Sequence, residues 1–292
     1  MHVLVVDDDV IMCAVIDELL RSLGLRNLTI THSGPEALDA IGSAAIPFDC
    51  FIVDLLMPGM HGDELCRSIR AIGKYAQSPI VVLTALTDLS SIEQAFTAGA
   101  LDFQTKPINR KRFRQKMLEI SHLLSGRLTL GPPIAPEMRR ELPPQVIDRM
   151  AFENYVKRLG LLGELHRCVF AVKVVALRDD RPLPDPALAE ERLAEIGHAL
   201  CSGLSAQDVL MAYAGDGLFL CAGRPSDQAG MDQAAAEINA RLLALSAPGE
   251  AVFRAWAGKT IRVGNVRSER TAKRPMELAI RSASDRFEAD WT

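Results

Sequence analysis

An excess of charge of one sign is missing from this chain: 33 Lys and Arg stand against 37 Asp and Glu, a formal net charge of -4. So even a balance gives no global argument for nucleic acid or an anionic membrane as partner. No apolar run approaches the roughly 20 residues of a membrane-spanning helix. The first residues carry no basic region and reach acids at Asp7, unlike a secretory signal. These absences lead to the expectation of a cytoplasmic protein with no membrane partner. The six cysteines (Cys13, Cys50, Cys66, Cys168, Cys201, Cys221) form no CxxC pair, which favours small buried hydrophobes kept reduced over a disulfide framework or a zinc site. The six histidines lack ligand spacing, so no transition-metal centre is expected. There is no helix-turn-helix pattern and no basic recognition helix. The cationic stretch of Arg262, Arg267, Arg270, Lys273 and Arg274 reads as a solvated loop, and DNA is not an expected partner.

What is present suffices for two domains, since 292 residues can bury two cores and 48% apolar residues is ordinary for a globular chain. The stretch Phe51-Ile52-Val53-Asp54-Leu55-Leu56-Met57-Pro58-Gly59 drives an apolar run into one carboxylate and then a turn. Asp54 therefore ends a buried strand. Val3 to Val6 likewise ends in Asp7-Asp8-Asp9, before a helix-period segment over 12–23 closed by Gly24. A strand over 28–31 leads through Ser33-Gly34-Pro35 to a helix over 36–41, and a helix over 61–72 comes after the Asp54 strand. Residues 80–83 end in Thr84 before a helix over 88–98. A strand over 101–105 ends in Lys106-Pro107, and Asn109 caps a helix reaching Leu124. Short apolar strands alternating with helices predict an α/β domain with a doubly wound, parallel, five-stranded sheet.

Right-handed crossovers put all parallel strand ends on one edge, so Asp7, Asp8, Asp54, Thr84 and Lys106 converge. Three carboxylates packed together repel one another unless a cation joins them, and Mg²⁺ suits oxygen ligands. With Lys106 as a second positive charge and Thr84 as a hydroxyl donor, the set suits phosphoryl transfer onto Asp54 as nucleophile.

These motifs, in this order, resemble the response-regulator receiver domain over residues 1–125, a flavodoxin-like fold. Asp7-Asp8 resembles its acidic pair, Asp54-Leu-Leu-Met-Pro-Gly its phospho-acceptor segment, Leu83-Thr84-Ala85 its switch hydroxyl and Thr105-Lys106-Pro107 its lysine. Phe103 matches its aromatic switch position. The resemblance implies Asp54 as phospho-acceptor and Mg²⁺ held by Asp7, Asp8, Asp54 and the Leu56 backbone carbonyl, with no other cofactor. It also implies a sensor histidine kinase or phosphotransfer protein as donor. Leu56 and Leu86 resemble the positions flanking the path of hydrolytic water, where apolar side chains imply slow self-dephosphorylation. The fourth and fifth helices, with Phe96, Arg110, Arg112 and Phe113, resemble the usual signalling surface, for which a solvated basic helix is an equal reading.

Residues 126–144 carry Gly131-Pro132-Pro133, Pro136 and Pro143-Pro144, a density no packed element tolerates, and are expected to connect two domains. Beyond them the pattern gives a helix over 147–165, a strand over 168–177 and a helix over 187–202. A tight hairpin around Gly215-Asp216-Gly217 comes next, then a helix over 228–245, strands over 251–256 and 259–266, and a helix over 275–289. Residues 145–292 resemble a GGDEF (diguanylate cyclase-like) domain. The hairpin from Asp208 through Tyr213 to Leu218 is in gapless register with that family's signature, supported by Glu141 to Phe152 upstream and Phe287 to Asp290 downstream.

The departures bear on activity. The signature reads Ala214-Gly215-Asp216-Gly217-Leu218, so a glycine, an acid and the aromatic are lost, and the strand over 168–177 has Lys173 where a partner acid is expected. A lone Asp216 suits turn chemistry or an ion pair better than a metal. Glu190 stands for a base-contacting Asp, and the inhibitory Arg-x-x-Asp motif reads Ser205-Ala-Gln-Asp208, without its arginine. The expectation is a degenerate GGDEF-like output module that meets an unknown downstream protein or forms a homodimer. An active diguanylate cyclase and a non-catalytic GTP or cyclic di-GMP sensor are the alternatives.

Overall fold

The computed structural model describes residues 1–85, 89–126, 141–162, 167–179, 181–183, 187–205, 208–246, 251–263 and 269–289. The chain divides into two compact units, Met1–Leu130 and Gly131–Thr292. No helix among the described residues is long and apolar enough to cross a membrane.

In the first unit, β1 (His2–Val6), β2 (Asn27–Thr31), β3 (Cys50–Asp54), β4 (Ile80–Thr84) and β5 (Asp102–Thr105) form a parallel sheet in the order β2-β1-β3-β4-β5. The central strands β3 and β4 are buried at every residue, as expected where helices cover both faces of a parallel sheet. Those helices are α1 (Val10–Ser22), α2 (Gly34–Ser43), α3 (Gly62–Ala71), α4 (Leu89–Thr97) and α5 (Arg110–Leu124). Side-chain caps fix where they start. Asp9 accepts from the N–H groups of Ile11 and Met12, Ser33 from Glu36, and Asn109 from Arg112. Strand order reverses between β1 and β3, the switch point at which ligands bind in open α/β sheets.

The second unit has an antiparallel sheet. β6 (Cys168–Arg178) lies between β9 (Leu218–Gly223) and β10 (Val252–Ala257), and β8 (Leu210–Gly215) pairs with β9. Short strands β7 (Arg181–Pro182) and β11 (Ile261–Arg262) also pair with β6. The helices are α6 (Arg149–Leu162), α7 (Ala187–Glu191), α8 (Leu193–Gly203), α9 (Gln228–Ala244) and α10 (Glu269–Ala289). The succession β6, α8, β8, β9, α9, β10 is a β-α-β-β-α-β arrangement. Phe170, Val172 and Val174 alternate along one face of β6 and pack with Met211, Phe219, Ile196, Leu200, Ile238 and Leu242 in one buried core. The opposite face meets α10, whose Phe287 lies edge-on to Trp256 of β10 at 5.1 Å.

Several expected boundaries differ. The helix over 187–202 is broken at Arg192, whose backbone leaves the helical region, while its guanidinium reaches the Leu245 carbonyl at the end of α9 (3.1 Å). Of the strand expected over 259–266, the described residues pair only at Ile261 and Arg262, with the Lys259 N–H bonded instead to Ser282 Oγ of α10, and residues 264–266 lie outside the described residues. The last helix starts at Glu269 and runs through Pro275 rather than from it. β7 has no counterpart among the expected strands. Most of the connector lies outside the described residues, but Leu142 at its far end is buried in the core of the second unit. Five of the six cysteines are buried, and burial pushes the Cys50 and Cys66 thiols up to about 12, leaving them as packing groups.

Candidate functional site

The switch point between β1 and β3 carries the chemistry. Asp7 comes directly after the last residue of β1 and is fully buried, Asp54 ends β3 at 3% exposure and Thr84 ends β4 at 1%. The exposed Asp8 joins them: carboxylate oxygens of Asp7, Asp8 and Asp54 lie within 4.8 Å of one another. Asp9, the third acid of the run, caps α1 instead, so the backbone itself separates a capping acid from the two that face the site.

Lys106 comes directly after β5, placed by its N–H bond to the Thr84 carbonyl (2.8 Å), and is joined to Pro107 by a cis bond. Its Nζ lies 2.9 Å from Asp54 Oδ1 and 2.9 Å from Asp7 Oδ2. One ammonium therefore serves two buried carboxylates beside a third acid. Burial pushes the Asp54 carboxyl above its ordinary value; the hydrogen bond and charge of Lys106 pull it down, and the charges of Asp7 and Asp8 push it up. For Lys106, burial lowers the pKa, but the close contacts of its ammonium with the Asp54 and Asp7 carboxylates and the charges of both outweigh it, so the ammonium is held above its ordinary value. The lysine gains from the cluster while Asp54 retains a net penalty, as expected where acids outnumber the cation. Asp7 Oδ2 has only the ion contact with Lys106 and no well-formed hydrogen bond among the described residues. An all-oxygen donor set with surplus negative charge and an unsatisfied buried carboxylate oxygen fits a hard divalent cation.

The backbone around Asp54 leaves little freedom. An added Cβ at Gly62, the first residue of α3, would stand 2.1 Å from the Asp54 carbonyl oxygen. Glycine is required for α3 to approach the end of β3 this closely. Leu56, two residues past Asp54, is 47% exposed, while Leu86 lies outside the described residues. Phe103 on β5 points inward at 7% exposure, edge-on to Phe96 at 6.1 Å. Lys116 of α5 fixes it from the other side: Nζ donates to the Phe103 carbonyl (2.7 Å), pairs with Asp102 and sits 5.9 Å from the ring centre. Sequence reasoning misses Lys116; only its helical position facing β5 reveals it.

In the second unit the signature residues sit at a hairpin tip. Tyr213 and Ala214 lead into Gly215, which pairs with Leu218, so Asp216-Gly217 is a two-residue turn. Both have positive φ, 51° and 68°, the type I′ geometry that Asp-Gly favours. Asp216 is exposed, and its backbone carbonyl accepts from Lys173 Nζ. The ammonium therefore stands over the turn. Glu190 accepts from the Tyr213 hydroxyl (3.3 Å), which itself accepts from Gly217 N–H (3.2 Å). Asp208 donates its N–H to the Ser205 carbonyl (3.3 Å), and its carboxylate is held by Arg167 (3.2 Å) with Arg224 at 3.8 Å. Arg167 is 41 residues away in sequence, and no local motif could have announced the pair. The expected anchor at Asp290 and most of the cationic stretch near the end lie outside the described side chains.

Residues 3–118 match the response regulator receiver domain model. The chemotaxis protein CheY of Pseudomonas aeruginosa is 32% identical over 126 residues, which is 43% of this chain and 100% of CheY. Response regulator MprA of Mycobacterium avium is 38% identical over 119 residues, 40% of this chain and 49% of MprA, so the chain spans about half the length of that relative. Among solved structures, the chemotaxis response regulator CheY4 of Vibrio cholerae is 28% identical, with 41% of this chain and 97% of CheY4 covered and a TM-score of 0.38. With a receiver sheet, its acidic switch point and a relative matched over its whole length, the chain belongs to the response regulator receiver family.

Proposed function

We propose that this protein is a response regulator phosphorylated on Asp54, with a receiver over residues 1–125, a connector over 126–144 and a catalytically inactive GGDEF-like output domain over 145–292. The donor is a sensor histidine kinase or phosphotransfer protein and the setting is cytoplasmic. The observation that carries the reading is the buried Asp54 held by Lys106 beside Asp7 and Asp8. Asp54 attacks the phosphorus of a phosphoimidazole; the new O–P bond forms as the N–P bond breaks, and the imidazole nitrogen keeps the electron pair. Lys106 and the Thr84 hydroxyl stabilise charge on the transferring oxygens. Asp7, Asp8, Asp54 and the Leu56 carbonyl would hold Mg²⁺, which supplies charge neutralisation during transfer. The exposed apolar Leu56 shields the acyl phosphate from water, and a phospho-Asp54 half-life of seconds in purified protein would overturn that part.

The β-α-β-β-α-β arrangement and the hairpin position of residues 214–218 support the GGDEF-like assignment. Loss of cyclase activity is supported by the Lys173 ammonium on the Asp216 carbonyl and by the type I′ turn that occupies the signature. The output then acts through contacts with another protein or through dimerisation. Two measurements test this. Beryllofluoride-loaded protein incubated with Mg-GTP should give no cyclic di-GMP, and size-exclusion chromatography followed by pull-down from lysate, with and without beryllofluoride, should show a changed mass or a changed captured partner. Catalytic turnover of GTP would refute it.

A further inference from the structure

Away from the switch point and the hairpin, the second unit contains a cavity of about 610 Å³ between the start of α9, the turn after β10 and the middle of α10. That volume is in the range of small-molecule sites. Leu278, Arg281, Ser282 and Asp285 line it from α10, a spacing that puts all four on one helix face. Its charge is uneven. Lys259, Arg281 and Arg286 face one acid, Asp285. Arg286 is committed to the structure, through the Ala257 carbonyl at 2.8 Å and an ion pair to Asp232. Ser282 is committed too, accepting the Lys259 N–H. The charged ends of Lys259 and Arg281 have no such commitment: neither makes an ion pair or side-chain hydrogen bond among the described residues.

We propose that this cavity binds a small phosphate monoester. A phosphate carries nearly two negative charges and three acceptor oxygens, which matches one free guanidinium fork and one free ammonium with Arg286 fixed alongside. Gln228, the first residue of α9, lines the cavity beside the helix end that Asp227 caps, its amide donating to Asp232 (3.0 Å). Ile261 and Leu278 supply an apolar wall for the organic body. Asp285, without a partner among the described residues, accepts from a hydroxyl or amine on that body and disfavours a second anionic group. A sugar phosphate or a nucleoside monophosphate has these features. The site needs no divalent ion and does not depend on the GGDEF-like reading.

The test is calorimetric titration of the full chain in EDTA, so that the acids around Asp54 cannot recruit phosphate through a metal. The probes are inorganic phosphate, AMP, GMP, glucose 6-phosphate and a phosphoserine peptide. Saturable binding of at least one monoester, tighter than inorganic phosphate and weakened at least tenfold by Arg281→Glu and by Lys259→Glu, is expected. Arg241→Glu, a charge reversal on the exposed end of α9, should leave it unchanged, and circular dichroism should show each variant folded. Absence of heat with every monoester at millimolar concentration would overturn the proposal. So would equal weakening by Arg241→Glu, tightest binding of the phosphopeptide, or folded Arg281→Glu and Lys259→Glu variants that bind like the parent.

Discussion

Asp54 is the residue at which burial and charge are most opposed. Because burial raises its pKa in the folded state, the fold binds a proton there more readily than the unfolded chain does, and stability falls as pH rises from the ordinary value of 3.8 through the raised folded value. Above that window the penalty is fully present. Asp54→Asn should therefore stabilise the first unit at neutral pH in EDTA, with the gain vanishing below the ordinary carboxylate value; urea titrations at several pH values check this. A variant no more stable than the parent at pH 7 would contradict the sign. Lys106 behaves oppositely, its contribution being present at neutral pH and lost only as pH rises through its elevated folded value, above 10.5. Gly62 has a steric role: Gly62→Ala forces the Asp54 carbonyl to move and should cost about 1–3 kcal/mol in urea unfolding.

Among the elements, the hairpin of β8 and β9 makes the sharpest prediction. If Asp216-Gly217 serves the turn, Asp216→Asn keeps the type I′ preference and changes stability by less than about 0.5 kcal/mol. Gly217→Ala places a Cβ 2.0 Å from the Val174 carbonyl at a positive φ and should cost more than about 2 kcal/mol. A large loss from Asp216→Asn would give that carboxylate a role beyond the turn. How much of this is legible in the sequence depends on locality. The receiver strands read clearly because each is a short apolar run ending in its functional residue, and Asn109 and Ser33 announce their helices. Asp9 cannot be told from Asp7 and Asp8 without the helix it caps. The Arg167–Asp208 pair, the clamp of Lys116 on Phe103 and the break at Arg192 each depend on partners from other elements. β7 is a two-residue strand with no periodicity to detect.

For the whole molecule, two units with separate sheets and cores imply that the receiver folds independently of the second unit. A chain ending at residue 125 should unfold cooperatively and accept a phosphoryl group at the rate of the full protein. Failure of the truncated chain to fold would mean that the first unit draws its stability from the second. Leu142 in the second core places the end of the expected connector with the second unit, so a shortened second unit should begin before Leu142; Leu142→Ala should cost about 2–5 kcal/mol in urea unfolding, as for other buried leucines. In the proposed function, covalent signalling enters the molecule at Asp54. The direct measurement is intact-mass and peptide-mapping spectrometry of the full chain after incubation with acetyl phosphate and Mg²⁺. One phosphoryl group per chain on Asp54, absent from Asp54→Asn and absent in EDTA, is the predicted result; a phosphoryl group on another residue, or labelling unchanged in Asp54→Asn, would contradict it.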